Sequence, residues 1–189
     1  MTNMKNTKKL IFSALFSALT FVATYVIKLP TPTMGYIHPG DAIVLLSGVL
    51  LGPIYGGLAA GFGSLLADLL GGYFTYAPAT FVIKALTAVI ATFLYKEFQV
   101  FWKEGRKNIS FIIAGVVGES FMVIGYFLYE IFLLGILSGG LNSASISAGI
   151  VAAASGIVFN IVQGSFGVIL GAVLRPILDP ILKKNLYSN

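Results

Sequence analysis

Long apolar runs broken by short Gly/Pro-rich or charged segments make up the chain, and the stretch from Gly35 to Lys84, GYIHPGDAIVLLSGVLLGPIYGGLAAGFGSLLADLLGGYFTYAPATFVIK, organises the rest. Within it, Ala42 to Leu51 is too short for a full upright crossing of a bilayer, and Ile54 to Leu70 is studded with Gly and Ala and carries Asp68 near its end. The pattern predicts two closely packed, imperfect helices joined by a tight Gly52-Pro53 turn, because irregular backbone at membrane depth persists only where protein or a water-filled cavity covers it. Along the whole chain the runs predict an all-α integral membrane protein, one domain over residues 1–189, with six spans at about 10–27, 40–51, 54–70, 79–95, 109–137 and 148–174. The first run reads as a true span, since no small-residue cleavage site follows it. The fifth exceeds the roughly 20 residues that a crossing needs, which leaves room to tilt or project. The sixth is expected to end at Arg175-Pro176. No repeat relates the two halves, which argues against an inverted-repeat transporter.

Charge orients the spans. Lys5, Lys8 and Lys9 precede the first; KEFQVFWKEGRKN, residues 96–108, carries four basic and two acidic side chains; Lys183 and Lys184 follow the last. Basic loops stay inside, so both termini, the GPIYGG turn and residues 96–108 are expected in the cytoplasm. The outer loops are then 29–39 (LPTPTMGYIHP), 71–78 (GGYFTYAP) and 138–147 (SGGLNSASIS), and the three prolines of the first forbid regular helix. Apolar residues are 57% and charged residues 10% of the 189, with mean hydropathy +0.92, so the chain lacks the polar surface of a soluble fold. The net charge of +5 is scattered over three segments rather than gathered on one face, which excludes nucleic acid as a partner. No Cys and a single His, His38, leave no disulfide or thiolate nucleophile and weaken any metal reading.

Small residues four apart mark faces where helices meet in lipid. Gly57/Gly61 and Gly167/Gly171 read as packing inside the bundle. Ala14 and Ala18, flanked by Ser13 and Ser17 in SALFSAL, sit near the cytoplasmic end of the first span, and on spacing alone they serve the bundle or a partner subunit equally well.

An ionisable group inside a span needs a partner or a function. Glu119, Tyr126 and Glu130 lie 7 and 4 residues apart, so at about 100° per residue they share an arc of roughly 40° on the fifth span. Lys84, near the outer end of the fourth span, is expected to face Glu130, either as a structural ion pair or as part of a ligand site. Asn160 and Gln163 share a face of the sixth span and serve as glue or as ligand contacts. Asp41, just after Gly40, reads as a helix cap ahead of a ligand contact, and Asp68, in a last turn where a carboxylate opposes the helix dipole, requires a partner. His38 and Tyr36 in the first outer loop, with Tyr73, Phe74 and Tyr76 in the second, are suited to covering a flat ring.

The succession of a basic N-terminus, SALFSAL, a Pro-rich loop ending YIHPGD, LLGPIYGGLAAGFGSLLADLLGGYF and YAPATFVIKAL resembles the substrate-binding S component of energy-coupling factor (ECF) vitamin transporters. Within these it is similar to the branch of riboflavin, pyridoxine and hydroxymethylpyrimidine carriers, most specifically over residues 36–85. The resemblance implies a six-helix protein of the cell membrane that binds a vitamin from outside with very high affinity, has no ATPase of its own, and joins a transmembrane coupling subunit carrying two ATPase subunits. It implies docking on that subunit through Ala14 and Ala18, and a site in the outer half formed by Lys84, Tyr126, Glu130 and Asn160, with His38 and Tyr76 in covering loops. Glu119 joins the candidates as part of the same polar stripe.

The expected function is therefore capture of a small ring-containing vitamin or precursor, pyridoxine or hydroxymethylpyrimidine ahead of riboflavin, followed by toppling within the bilayer to release it inside. No cofactor is implied, and with no GxxxxGK[ST] motif the energy has to come from partners. A membrane enzyme using Glu119 or Glu130 as general base lacks a nucleophile or metal to work with. A scaffold whose polar stripe is only glue remains the other rival.

Overall fold

The computed structural model of the chain describes residues 2–30, 36–102, 105–137, 140 and 142–187. Parts of the three expected loops at 29–39, 96–108 and 138–147 thus lie outside the described residues. Among the described residues six helices follow one another: α1 (Thr2–Tyr25), α2 (Gly40–Leu51), α3 (Pro53–Gly71), α4 (Ala77–Phe101), α5 (Lys107–Leu137) and α6 (Ser143–Tyr187). All but the 12-residue α2 are long and apolar enough to cross a membrane.

Helix α2 is the centre of the bundle. Ala42, Val44, Leu45 and Leu46 are fully buried, and the helix touches α1, α3, α4 and α6. A short helix that is apolar on every side is stable only when other helices enclose it. Gly52, at φ +90°, turns the chain from α2 into α3 while its N–H donates to the Gly48 carbonyl at 2.8 Å, and Pro53 opens α3 where no helical N–H is needed. The glycine pairs pack within the bundle: Gly57 and Gly61 against Val89 and Phe81 of α4, Gly167 and Gly171 against Asp41 and Phe111. Ala14 and Ala18 instead face outward, beside the exposed flank of α1 formed by Ile11, Leu15 and Leu19.

Several boundaries differ from the sequence expectation, among them the start of α6, which forms from Ser143 inside the loop expected at 138–147. The first helix begins well before residue 10 and α4 continues to Phe101, because the flanking Lys and Glu side chains are good helix formers that simply extend the apolar spans. The first loop is not wholly irregular: Leu29–Pro30 pairs antiparallel with Tyr36–Ile37. Most notably, α6 does not stop at Arg175-Pro176 but runs for 45 residues with Pro176 and Pro180 inside it. Beyond the prolines, Leu182 and Leu186 are buried in the core cluster with Leu51 and packed by Val49, Leu50 and Tyr95, and this burial outweighs the hydrogen bonds that the prolines remove.

Candidate functional site

The end of the bundle carrying the short ladder holds a cavity of about 60 Å³ to which α1, α3, α4, α5 and α6 contribute residues directly, and to which α2 contributes only through the loop before it. Its walls follow helical spacing. Ser64 and Asp68 come from α3, Thr80 from the first turn of α4, Tyr126 and Glu130 from α5, and Gly156, Phe159, Asn160 and Gln163 from α6. Thr24 of α1 reaches in from one side, and Tyr36, His38, Tyr73 and Tyr76 cover the mouth.

A hydrogen-bonded chain links the cover to the walls. The Tyr36 hydroxyl donates to Asp68 Oδ1 at 2.6 Å, Thr80 also bonds the Asp68 carboxylate, and the Tyr126 hydroxyl donates to Thr80 Oγ1 at 3.1 Å. Asp68 thereby acquires the partner that its place in a last helical turn demands. Burial, and then the negative charge of Asp68, push the Tyr36 phenol far up, so it remains a donor. The Tyr36 ring leans on Tyr73 and His38 with centroids 4.8 and 5.3 Å apart. Lys28 lies over Tyr25, Tyr36 and Tyr73 at 4.3, 4.8 and 5.7 Å, a cation held by three rings at the rim. Tyr76 meets Tyr129 edge to face at 5.6 Å, and the Tyr129 hydroxyl donates to the Thr75 carbonyl. Burial foremost, with the nearby Glu130 carboxylate, pushes the Tyr76 phenol up to about 12.

His38 is fixed from two sides. Its backbone N–H donates to Gln163 Oε1 at 3.3 Å, and its Nδ1 accepts from the Gly40 N–H at 3.1 Å. Burial holds the imidazole down at about 4, Lys84 and Lys28 adding to the effect and Asp41 opposing it, so the ring is neutral near pH 7.

Beneath the cavity lies a buried ionic knot. Lys84 Nζ is 2.5 Å from Asp41 Oδ1, Gln163 Nε2 donates to Asp41 Oδ2 at 2.7 Å, and the Lys84 ammonium sits 5.4 Å from the Tyr126 ring centroid. Two expectations are corrected here. Lys84 pairs with Asp41, not Glu130, because α2 packs into the bundle with its first turn against α4 and brings a fully buried carboxylate to a Lys that is only 1% exposed. Asp41 is not a cap: α2 starts at Gly40 after Pro39 without a side-chain cap bond, and both Asp41 oxygens go to the Lys84 and Gln163 side chains.

Of the seven residues expected to bind ligand, Tyr126, Glu130, Asn160, His38 and Tyr76 line the cavity, while Lys84 and Glu119 do not. The polar stripe on α5 is divided by depth. Glu119 lies below, buried against Gly164, and neither of its oxygens has a hydrogen-bond partner among the described residues. Phe74 points away, 67% exposed. Asp68, Thr24, Ser64, Thr80, Gly156 and Phe159 were not foreseen as wall residues. The signal was present in spacing: Ser64/Asp68, Tyr76/Thr80, Tyr126/Glu130 and Gly156/Asn160 are all four apart, as neighbours on one helix face are. The Thr24 and Ser64 hydroxyls are buried without a partner among the described residues, which leaves hydrogen-bonding capacity turned to the cavity.

Comparison with known proteins gives three matches. The family model described as "ECF-type riboflavin transporter, S component" matches residues 4–179. A Pyrococcus woesei protein described as "Uncharacterized protein in gap 3'region" is 38% identical over 160 residues, covering 84% of this chain and 98% of the relative. A solved structure, described as "Structure and mechanism of the S component of a bacterial ECF transporter", is similar with a TM-score of 0.68 at 24% identity, covering 94% of this chain and 99% of the other.

Proposed function

Because the chain belongs to the family of ECF-type riboflavin transporter S components, a family of multi-pass cell-membrane transport subunits rather than enzymes, we propose that it captures a single-ring vitamin or vitamin precursor, pyridoxine or hydroxymethylpyrimidine, from outside the cell. The observation that carries this reading is the cavity itself. At about 60 Å³, below the roughly 150 Å³ that accommodates benzene in an apolar protein cavity, it must open for any ring, and a single ring requires the smaller opening. Its walls are polar out of proportion to that size, with Asp68, Glu130, Asn160, Gln163 and several hydroxyls around the ring of Phe159. Small heteroaromatics with hydroxymethyl, amino or ring-nitrogen groups match such a lining.

In this reading Tyr126, Glu130 and Asn160 contact the ligand, His38 and Tyr76 close over it, and Lys84 supports the floor through Asp41. Glu119, out of reach of the cavity, contributes to the bundle beneath. The outward face bearing Ala14 and Ala18 docks on a transmembrane coupling subunit that carries two ATPase subunits, and toppling in the bilayer delivers the ligand inside. Riboflavin is the second reading, favoured by the description of the matched family model.

Mass spectrometry of the small molecule that co-purifies with the protein tests the proposal, followed by calorimetric titration with pyridoxine, hydroxymethylpyrimidine and riboflavin. Tight binding of either single-ring compound is expected. A yellow preparation that binds riboflavin alone replaces the first reading with the second, and binding of none of the three rejects both.

A further inference from the structure

The end of the bundle opposite the ladder holds another cavity, of about 160 Å³. It is bounded by the last turn of α2, by Tyr95 of α4 and by the stretch of α6 beyond Pro176, which brings Asp179 and Lys183 to it. Tyr95 stands 15 residues along α4 from Thr80 of the vitamin cavity, roughly 22 Å at 1.5 Å per residue. The basic segments at 96–108 and 183–184 assign this end to the cytoplasm by the positive-inside rule.

Arg175 lies against the Tyr95 wall of that cavity, its Cζ 5.7 Å from the ring centroid. It is 3% exposed, and its Nε and Nη1 have no hydrogen-bond partner among the described residues. The ion pairs among those residues are Lys84–Asp41 and Lys183–Asp179, so the carboxylate one turn along α6 from Arg175 is given to Lys183, at 3.0 Å. A guanidinium keeps its charge in whatever site it enters, and a buried charge without a counter-ion costs far more than the face of one ring returns. At Lys84 the fold meets that demand with the buried Asp41 carboxylate. At Arg175 it supplies an aromatic face and an adjoining cavity.

Arg175, Asp179 and Lys183 follow one another at intervals of four, so they run along one flank of α6 with two cations bracketing one carboxylate. We propose that this flank is an anion site. A phosphate group, from a lipid headgroup or free in the cytoplasm, enters beside Tyr95, accepts hydrogen bonds from Nε and Nη1 of Arg175, and takes a second contact from Lys183. Two adjacent N–H groups of a guanidinium match a phosphate bidentately, and basic pockets between helices at the cytoplasmic side of a membrane receive anionic headgroups. Asp179, which lies between the same two cations, competes with the phosphate. The site is independent of which vitamin the protein binds and requires no change at the outer cavity.

The test takes the purified full chain in a maltoside detergent and phosphate-free chloride buffer, and adds either inorganic phosphate or phosphatidylglycerol, reading native mass spectra and melting temperature. One phosphate-bearing molecule should bind per chain and raise the melting temperature in a saturable way. Saturation by inorganic phosphate identifies a free anion, and saturation by the lipid alone identifies a headgroup. Arg175→Gln should weaken that binding at least about tenfold, as loss of a charged hydrogen-bonding partner does. Without phosphate or lipid the same variant should melt no lower than the native protein, because it removes an uncompensated buried charge. Asp179→Asn should tighten binding several-fold by removing the competing carboxylate. Should Arg175→Gln fail to fold, Lys183→Met and Asp179→Asn are read instead, for weaker and tighter binding respectively. The proposal is overturned if neither addition binds the native chain, or if binding is unchanged in the folded variants. It is also overturned if Arg175→Gln lowers the melting temperature equally with and without phosphate or lipid, which would leave Arg175 only its stacking on Tyr95.

Discussion

The Tyr36 hydroxyl donates a 2.6 Å hydrogen bond to the carboxylate of Asp68, so a residue of the loop after α1 is tied to the last turn of α3. The bond is charge-assisted and partly buried, and such bonds contribute about 1.5–3 kcal/mol. Tyr36→Phe should lower stability by that order and speed hydrogen exchange at residues 36–38. Thermal unfolding and exchange mass spectrometry read the two effects; an unchanged exchange rate would mean that the His38 to Gln163 bond alone holds the loop.

The Lys84–Asp41 pair should behave as one unit. Lys84→Met strands a buried carboxylate and is expected to cost about 3–5 kcal/mol, whereas Lys84→Met combined with Asp41→Asn should recover most of that loss. Glu130→Gln should show no such coupling to Lys84. A melting-temperature cycle over the four combinations decides it, and rescue by Glu130→Gln instead would contradict the pairing.

Acid should destabilise the protein through His38. Its folded value, about 4, lies below the ordinary 6.5, so between these limits the unfolded chain binds a proton that the folded chain refuses. Stability from this group is fully present above about pH 6.5 and falls as pH drops toward 4, by at most about 3 kcal/mol. Melting curves from pH 7.5 to 4.5 should therefore be steeper in pH for the native protein than for His38→Asn. Parallel curves would place the acid sensitivity elsewhere.

Ala14→Arg with Ala18→Arg should abolish uptake by cells that supply the energising subunits, while the isolated protein binds ligand with nearly native affinity. Bulk on an outward small-residue face blocks close helix approach without touching the cavity. Persistent uptake would reduce the alanines to a lipid-facing surface.

Orientation is testable because the chain has no native Cys. Trp102→Cys and Lys184→Cys should react only with reagents that enter the cell, and Asn142→Cys should react from outside. Labelling of position 102 in intact cells would invert the arrangement.

How much of this was legible beforehand differs from residue to residue, for physical reasons. The helices could be read from the chain because crossing lipid demands long apolar runs, and Gly52-Pro53 marked its turn by backbone chemistry alone. Tyr126 and Glu130 could be placed on one face by helical periodicity. The partner of Lys84 could not, since Asp41 is 43 positions away and is delivered by the packing of α2, which no local spacing encodes. Pro176 misled for the same reason: a local rule predicts a stop, and the distant burial of Leu182 and Leu186 overrides it.

The continuity of α6 has a mechanical consequence. At 1.5 Å per residue its 45 residues span roughly 68 Å, more than twice the hydrocarbon thickness of a bilayer. One rod carries the Asn160 and Gln163 wall at one station and the Leu182 and Leu186 anchor roughly 30–40 Å further along. Treated as a lever arm, it would turn a rocking of about 3–5° at the cavity into a displacement of roughly 2–3 Å at the second station. The prolines at 176 and 180, each lacking an N–H, put the softest joint of that lever between its two stations.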